Sequence, residues 1–319
     1  MINFGSYKFL MFMFKKRFPA VAALLGAAFL FSCKEQPVGI FTGEKAVDST
    51  YVAGIESAQP KNYYIEEFSG VRCPNCPAGA LKLEELMADN PNRLKLVTIH
   101  SGVLTAPKAG VSKQDLRPGL NGEGDGLLII NSIYGGDPPK PAASFDRMNV
   151  SPATGDPLLG NKDQWDAMLA AVKSQNNTTP INMYLTTSYD AGKDEYNIQV
   201  KIAYTQAITD PHFLTIYLTE DNIVDEQIEP VINNYEYNHV FRQSVTPYNG
   251  IAVLDSIPNK EAGRVFITNY KLKIDPNDGT ILKQKFWVLN NVHVVAFVHK
   301  STGGNDKKVY QVVDAKLKP

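Results

Sequence analysis

The short motif Cys73-Pro74-Asn75-Cys76 constrains this chain more than any other stretch, because of what stands on either side of it. Upstream lies a β-rich run, Tyr63 to Phe68, closed by a turn at Ser69 and Gly70. Downstream, Ala80, Leu81, Leu83, Leu86 and Met87 recur at helical spacing until Pro91 stops them. A cysteine pair between a strand and a helix places Cys73 at or beside the helix N-terminus, where unpaired N–H groups favour a thiolate. The helix supplies ~0.3–1 kcal/mol when exposed and up to about 2 kcal/mol when partly buried, against ~1.4 kcal/mol per pKa unit. A drop of about one unit is expected, and the adjacent Arg72 adds to it. Cys76 is then the resolving thiol, and Pro74 and Pro77 fall in the first helical turn, where a missing N–H costs little.

Strand and helix patterns continue to alternate after the motif. An apolar strand runs from Leu94 to Ile99, followed by a Gly- and Pro-rich stretch from Gly102 to Gly126, a short helix around Leu127 to Ile133, and a strand from Ala142 to Arg147 behind Pro141. Lys162 to Lys173 carries Trp165, Met168, Leu169 and Val172 on one helical face and completes a mixed α/β domain. From Pro180 the pattern changes to short alternating runs, among them Ile181–Thr187, Tyr196–Tyr204, Phe213–Leu218, His239–Arg242, Val265–Leu272 and Val292–Val298. This is the pattern of an antiparallel β-sandwich, expected to be immunoglobulin-like. The expected organisation is a segment 1–32, a mobile tether 33–60, an α/β domain 61–176 and an all-β domain 178–319.

The first thirty-two residues carry Lys8, Lys15, Lys16 and Arg17, no acidic side chain, and an apolar run from Phe18 to Phe31. That order is the order of a secretory signal, and the run falls short of the roughly 20 residues of a membrane-spanning helix. Its end, Leu30-Phe31-Ser32-Cys33, resembles the lipobox of bacterial lipoproteins. The resemblance implies that Cys33 is acylated, palmitate-type, and becomes the first residue of the mature chain, with the membrane as its partner. The mature chain then holds 28 Lys plus Arg against 33 Asp plus Glu, net −5, which leaves no electrostatic footprint for nucleic acid. With Cys33 assigned to lipid, Cys73 and Cys76 remain as an isolated pair in an oxidising compartment, a redox candidate. Zinc would need ligands at a spacing that the sequence does not offer. Neither a metal nor another cofactor is expected.

The residues around the pair resemble the thioredoxin fold. Glu67-Phe68 stands before Cys73 at the spacing of that family's buried acid and aromatic, which implies a proton-transfer role for Glu67. Pro141 stands where the family has a cis-proline facing the disulfide. Arg72 replaces the usual Trp, and Gly102–Gly126 reads as an insertion. A closer similarity is to the Bacteroidota lipoprotein family called outer membrane protein twenty-eight. It is carried by Glu66 to Pro77, Pro141 to Arg147, Tyr217 to Asp221, Asn238 to Arg242 and Val294 to Val298. It implies an outer-membrane lipoprotein, thioredoxin-like with a C-terminal β-domain. His100, His239 and Arg242 are expected to serve packing rather than chemistry. Two function classes stay open: thiol–disulfide exchange on exported protein thiols, with Cys73, Cys76, Glu67, Pro141 and Arg72 as the site, or a binding lipoprotein that meets a surface ligand through its β-sandwich.

Overall fold

The computed structural model describes residue 45 and residues 48–118, 124–152, 158–274, 286–300 and 306–319. The expected signal segment 1–32 and the acylation site Cys33 lie outside the described residues. So do residues 33–44, 46 and 47 of the expected tether and part of the Gly102–Gly126 stretch. Among the described residues, no helix is long and apolar enough to cross a membrane.

The first half is built as its periodicity dictates. Strand β1 (Ser49–Val52) is followed by β2 (Tyr63–Phe68), helix α1 (Cys76–Asp89), β3 (Leu94–Ile99), α2 (Asp125–Ile133), β4 (Ala142–Phe145) and α3 (Trp165–Gln175). In α1 the buried residues Cys76, Gly79, Leu83 and Leu86 form one stripe, and Asn90 ends the helix by donating its side-chain amide to the Leu86 carbonyl. β2 and β3 are parallel, with Glu67 opposite Thr98, and β4 runs antiparallel on the other edge of β2. All six residues of β2 are buried, since helices cover one face and a second core covers the other.

The second half supplies β5 (Ile181–Asp190), β6 (Glu195–Tyr204), β7 (Phe213–Glu220), β8 (Ile223–Gln227), β9 (Ile232–Tyr237), β10 (Val240–Ser244), β11 (Ile251–Ala252), β12 (Arg264–Leu272), β13 (Val292–His299) and β14 (Val309–Lys316). β1, β12, β6 and β5 form a four-stranded antiparallel sheet in that order. The remaining long strands extend the sheet of the first half, which runs β14-β13-β7-β10-β3-β2-β4. The junction is the parallel pairing of β10 with β3, where the Thr98 N–H donates to the His239 carbonyl. The boundary expected at 176–178 therefore divides strands that share one sheet.

Strand β13 shows why Val294 to Val298 is an unbroken apolar run. Val292, Val294, Ala296 and Val298 enter the core facing the four-stranded sheet, while Val295 and Phe297 enter a second core with Tyr64, Phe68, Val97 and Ile99. A strand buried on both faces has no polar side to alternate with. Antiparallel packing of two sheets is thus present, as the alternating runs imply, but one of the two sheets is the continuation of the α/β sheet.

Two buried ion pairs lie where the halves meet. Arg147 donates through Nε and Nη2 to both oxygens of Glu66 at 2.9 and 2.8 Å, Tyr64 and Tyr134 donate their hydroxyls to the same carboxylate, and the guanidinium lies 5.1 Å from the Phe297 ring centre. Lys61 meets Asp146 at 2.8 Å, both side chains fully buried.

The tether differs from its expectation over residues 48–60. β1 pairs with β12, Gln59 and Asn182 exchange hydrogen bonds with the opposing segments, and Glu56 accepts from Asn182, Lys201 and Tyr184. Those three donors hold the Glu56 carboxyl down to about 2. This stretch lacks hydrophobic periodicity because polar side chains attach it.

Candidate functional site

Cys73 and Cys76 form a disulfide with Cα atoms 5.4 Å apart. The backbone between them is a turn, with Cys73 N–H donating to the Gly70 carbonyl and Cys76 N–H to the Cys73 carbonyl. Asn75 is the residue preceding α1, so the helix begins at Cys76 with Pro77 in its first turn. Cys73, expected at or beside the helix N-terminus, thus stands in the turn ahead of it, and Cys76 is the cysteine in the first turn of α1. Pro74 is likewise in the turn and not in the helix.

Neither cysteine is open to solvent; Cys73 is 0 % exposed and Cys76 3 %. The cover comes from two segments. The loop after β3 is fastened by Arg72, whose N–H donates to the Leu104 carbonyl while its guanidinium donates to the carbonyls of Ala106 and Pro107. Arg72 thus serves as a clamp on the 102–118 loop. The other segment is the hairpin β8–β9. Gln227 donates from Nε2 to the Cys73 carbonyl at 3.1 Å, and Ile228 N–H donates to the Val71 carbonyl at 2.7 Å. Ile223, Ile228 and Tyr237 pack with Val71, Leu116 and Val240. Asp225 ties the two covering segments together by accepting from the N–H groups of Lys113 and Gln114 at 2.7 and 2.8 Å.

Beneath the pair lies a cavity of about 30 Å³, lined among others by Glu67, Cys76, Thr98, His100, Gln227 and Tyr237. Glu67 is buried, accepts from the Thr98 hydroxyl at 2.9 Å, and has no hydrogen-bond partner for its other oxygen, Oε1. Burial raises its carboxyl from the ordinary 4.5 to about 7, against the smaller opposite effect of Thr98. Glu66 and Glu67 point to opposite faces of β2, yet both are buried, and only Glu66 has a cationic partner.

Pro141 follows a cis peptide bond from Lys140 and opens β4. It packs on α1 at Gly79, where an added Cβ would stand 2.9 Å from the Pro141 Cβ, so the bare glycine permits the approach. Pro141 and Asn75 line a common open groove of about 700 Å³ with Tyr134, Asp137 and Asn161. Two further segments singled out in the sequence also meet. Arg242 donates to Glu220 at 2.7 Å, and His239 N–H donates to Asp221 at 2.6 Å, joining the ends of β7 and β10 beside the β8–β9 hairpin. Among the described residues, no cluster of three or more His, Cys, Asp or Glu side chains is placed to hold a metal ion. Sequence reasoning missed Gln227, Asp225, Tyr237 and Thr98; the hairpin that carries the first three has no periodic signal.

A βαβ unit with a disulfide ahead of its helix and a cis-proline ahead of the antiparallel strand defines a thioredoxin-like protein, here extended by antiparallel β-sheets. Residues 141–319, more than half of the chain, match the family model for outer membrane protein Omp28, and the chain belongs to that family. The match begins at Pro141 and does not include the cysteine pair. Among solved structures, HBP35 of Porphyromonas gingivalis is similar in fold, with a TM-score of 0.55 and 19% identity over 83% of this chain and 78% of that one. A protein of Agrobacterium tumefaciens gives 0.47 and 10% identity over 81% and 95%. No curated protein matches the chain.

Proposed function

We propose that this outer membrane protein is a lipoprotein, anchored through Cys33, that exchanges disulfides with thiols of exported proteins at Cys73–Cys76. The observation that carries the reading is Glu67. A structural staple has no use for a buried, half-satisfied carboxyl in the cavity that Cys76 lines, whereas disulfide exchange needs a proton at that place. In the proposed step a substrate thiolate attacks Sγ of Cys73, the Cys73–Cys76 bond breaks, and the Cys76 thiolate takes the Glu67 proton. A second substrate thiolate then attacks the substrate sulfur of the mixed disulfide and releases the oxidised substrate, leaving both cysteines reduced. Pro141 and Asn75 would shape the groove in which the substrate lies, and the Gln227 cover must shift to admit it.

The burial of both sulfurs favours a second reading, in which the pair fastens the covering hairpin and the protein acts as a non-catalytic binding lipoprotein through its β-sheets. Trapping separates the two. Exchange runs in both directions, so in Cys76→Ser the Cys73 thiolate attacks a disulfide of an exported protein and displaces one of its thiolates. With no resolving thiol the reducible mixed disulfide accumulates, whereas Cys73→Ser accumulates far fewer. Absence of adducts in both variants would leave the binding reading. The anchor has its own test, loss of fatty-acid labelling in Cys33→Ala; retained labelling would refute it.

A further inference from the structure

His100 has no place in the exchange step, yet its setting is unusual. It is 0 % exposed, and neither ring nitrogen has a hydrogen-bond partner. Alternation along β2 and β3 puts it on the face that carries Glu67 and Ser69 from one strand and Leu96 and Thr98 from the other, all of which line the same cavity. Because Glu67 stands opposite Thr98, His100 lies two residues further along the neighbouring strand. That offset is ~6.6 Å along the strand and ~4.8 Å across it, a span suited to a side chain, a water and a second side chain. The cavity of about 30 Å³ exceeds the ~10–15 Å³ that one water requires, and the site offers a polar atom at each end.

We propose that His100 is a positioning residue for Glu67, holding a water molecule between its imidazole and the unpartnered Oε1 of the carboxyl. Other groups facing the ring decide its charge. Burial, Arg242 on β10 and Lys140 ahead of β4 push its pKa down to about 3, with Asp115 opposing and Tyr237 of β9 edge-on at 5.5 Å. A neutral imidazole keeps one N–H to donate and one nitrogen to accept, so it can orient the water for either protonation state of Glu67. The water then donates to the carboxylate and favours the ionised form, which makes the proton easier to release to Cys76.

This role rests on the exchange reading only for its effect on rate, and the experiment separates the two. The Glu67 titration is followed by carboxyl infrared difference spectroscopy on the oxidised full chain, with Glu67→Gln as the assignment control, in wild type, His100→Leu and His100→Gln. Loss of the water's donor should raise the Glu67 midpoint by about one unit, a tenfold fall in its acid dissociation constant, in His100→Leu. His100→Gln, which can still hold the water, should stay near wild type. The pH profile of exchange with a model dithiol should shift by the same amount. An unchanged midpoint in His100→Leu, or equal shifts in both variants, overturns the role of His100. A shifted midpoint in a protein that exchanges no disulfide supports the water site and refutes the exchange reading instead.

Discussion

Replacing Arg147 by methionine is expected to destabilise the protein by roughly 3–5 kcal/mol, the usual cost of stranding one member of a buried ion pair. Arg147 is 1 % exposed and Glu66 0 %, so the carboxylate left behind has no access to solvent and keeps only the hydroxyls of Tyr64 and Tyr134. Lost packing adds to the effect, because the guanidinium lies against Phe297 of β13. Methionine is chosen because Arg147 has a φ of 50°, a conformation hard on β-branched side chains. Adding Glu66→Leu removes the stranded charge and should recover most of the loss, since well-packed apolar replacements of buried pairs are often neutral or stabilising. Urea unfolding of the single and double variants measures both effects. A single-variant loss below about 1 kcal/mol would mean that the pair contributes no more than a solvent-exposed one.

The second large effect belongs to Glu67 and has a sign that depends on pH. Its carboxyl holds a proton up to about 7 in the folded protein but gives it up near 4.5 when unfolded. The neutral form is therefore a source of stability that is fully present below pH 4.5 and is lost as pH rises through 7. Each pKa unit is ~1.4 kcal/mol, so the loss is on the order of 3 kcal/mol above pH 8. Glu67→Gln keeps the shape and can still accept from Thr98, but it cannot ionise. The variant should match wild type near pH 4 and exceed it by on the order of 3 kcal/mol at pH 8 to 9. A stability difference that does not vary with pH would show that burial does not raise this carboxyl. The more stable variant should also be the poorer exchanger, because an amide has no carboxyl proton for the Cys76 thiolate.

The core of the fold was legible because its signals are local: β2 and β3 have the bounds that their apolar runs imply. The cis peptide at Pro141 and the burial of Glu67 follow only from the resemblance to thioredoxins, since alternation leaves open which of Glu66 and Glu67 is inside, and both are. What the sequence could not show is long-range. Gln227 reaches Cys73 across 154 residues, and its hairpin mixes Asp, Glu, Asn and Gln with Ile, Val and Tyr in no regular period. The shared sheet depends on a short parallel contact, Val240 beside Thr98, for which no pattern in either strand speaks. The helix start was misplaced because two prolines, Pro74 and Pro77, both suit a first turn, and only the backbone geometry assigns that turn to Pro77. Arg72 was read through its charge, yet its guanidinium serves the carbonyls of a loop whose path is not written in its Gly and Pro residues.

The central claim is that Cys73–Cys76 is an exchanging pair and not a staple, and its reduction potential tests that most directly. The soluble chain is equilibrated in glutathione buffers of graded potential and the free thiols are counted by alkylation and mass. A potential above about −250 mV is predicted, in the range of exchange-active pairs. A potential below about −300 mV, where structural disulfides lie, would contradict it.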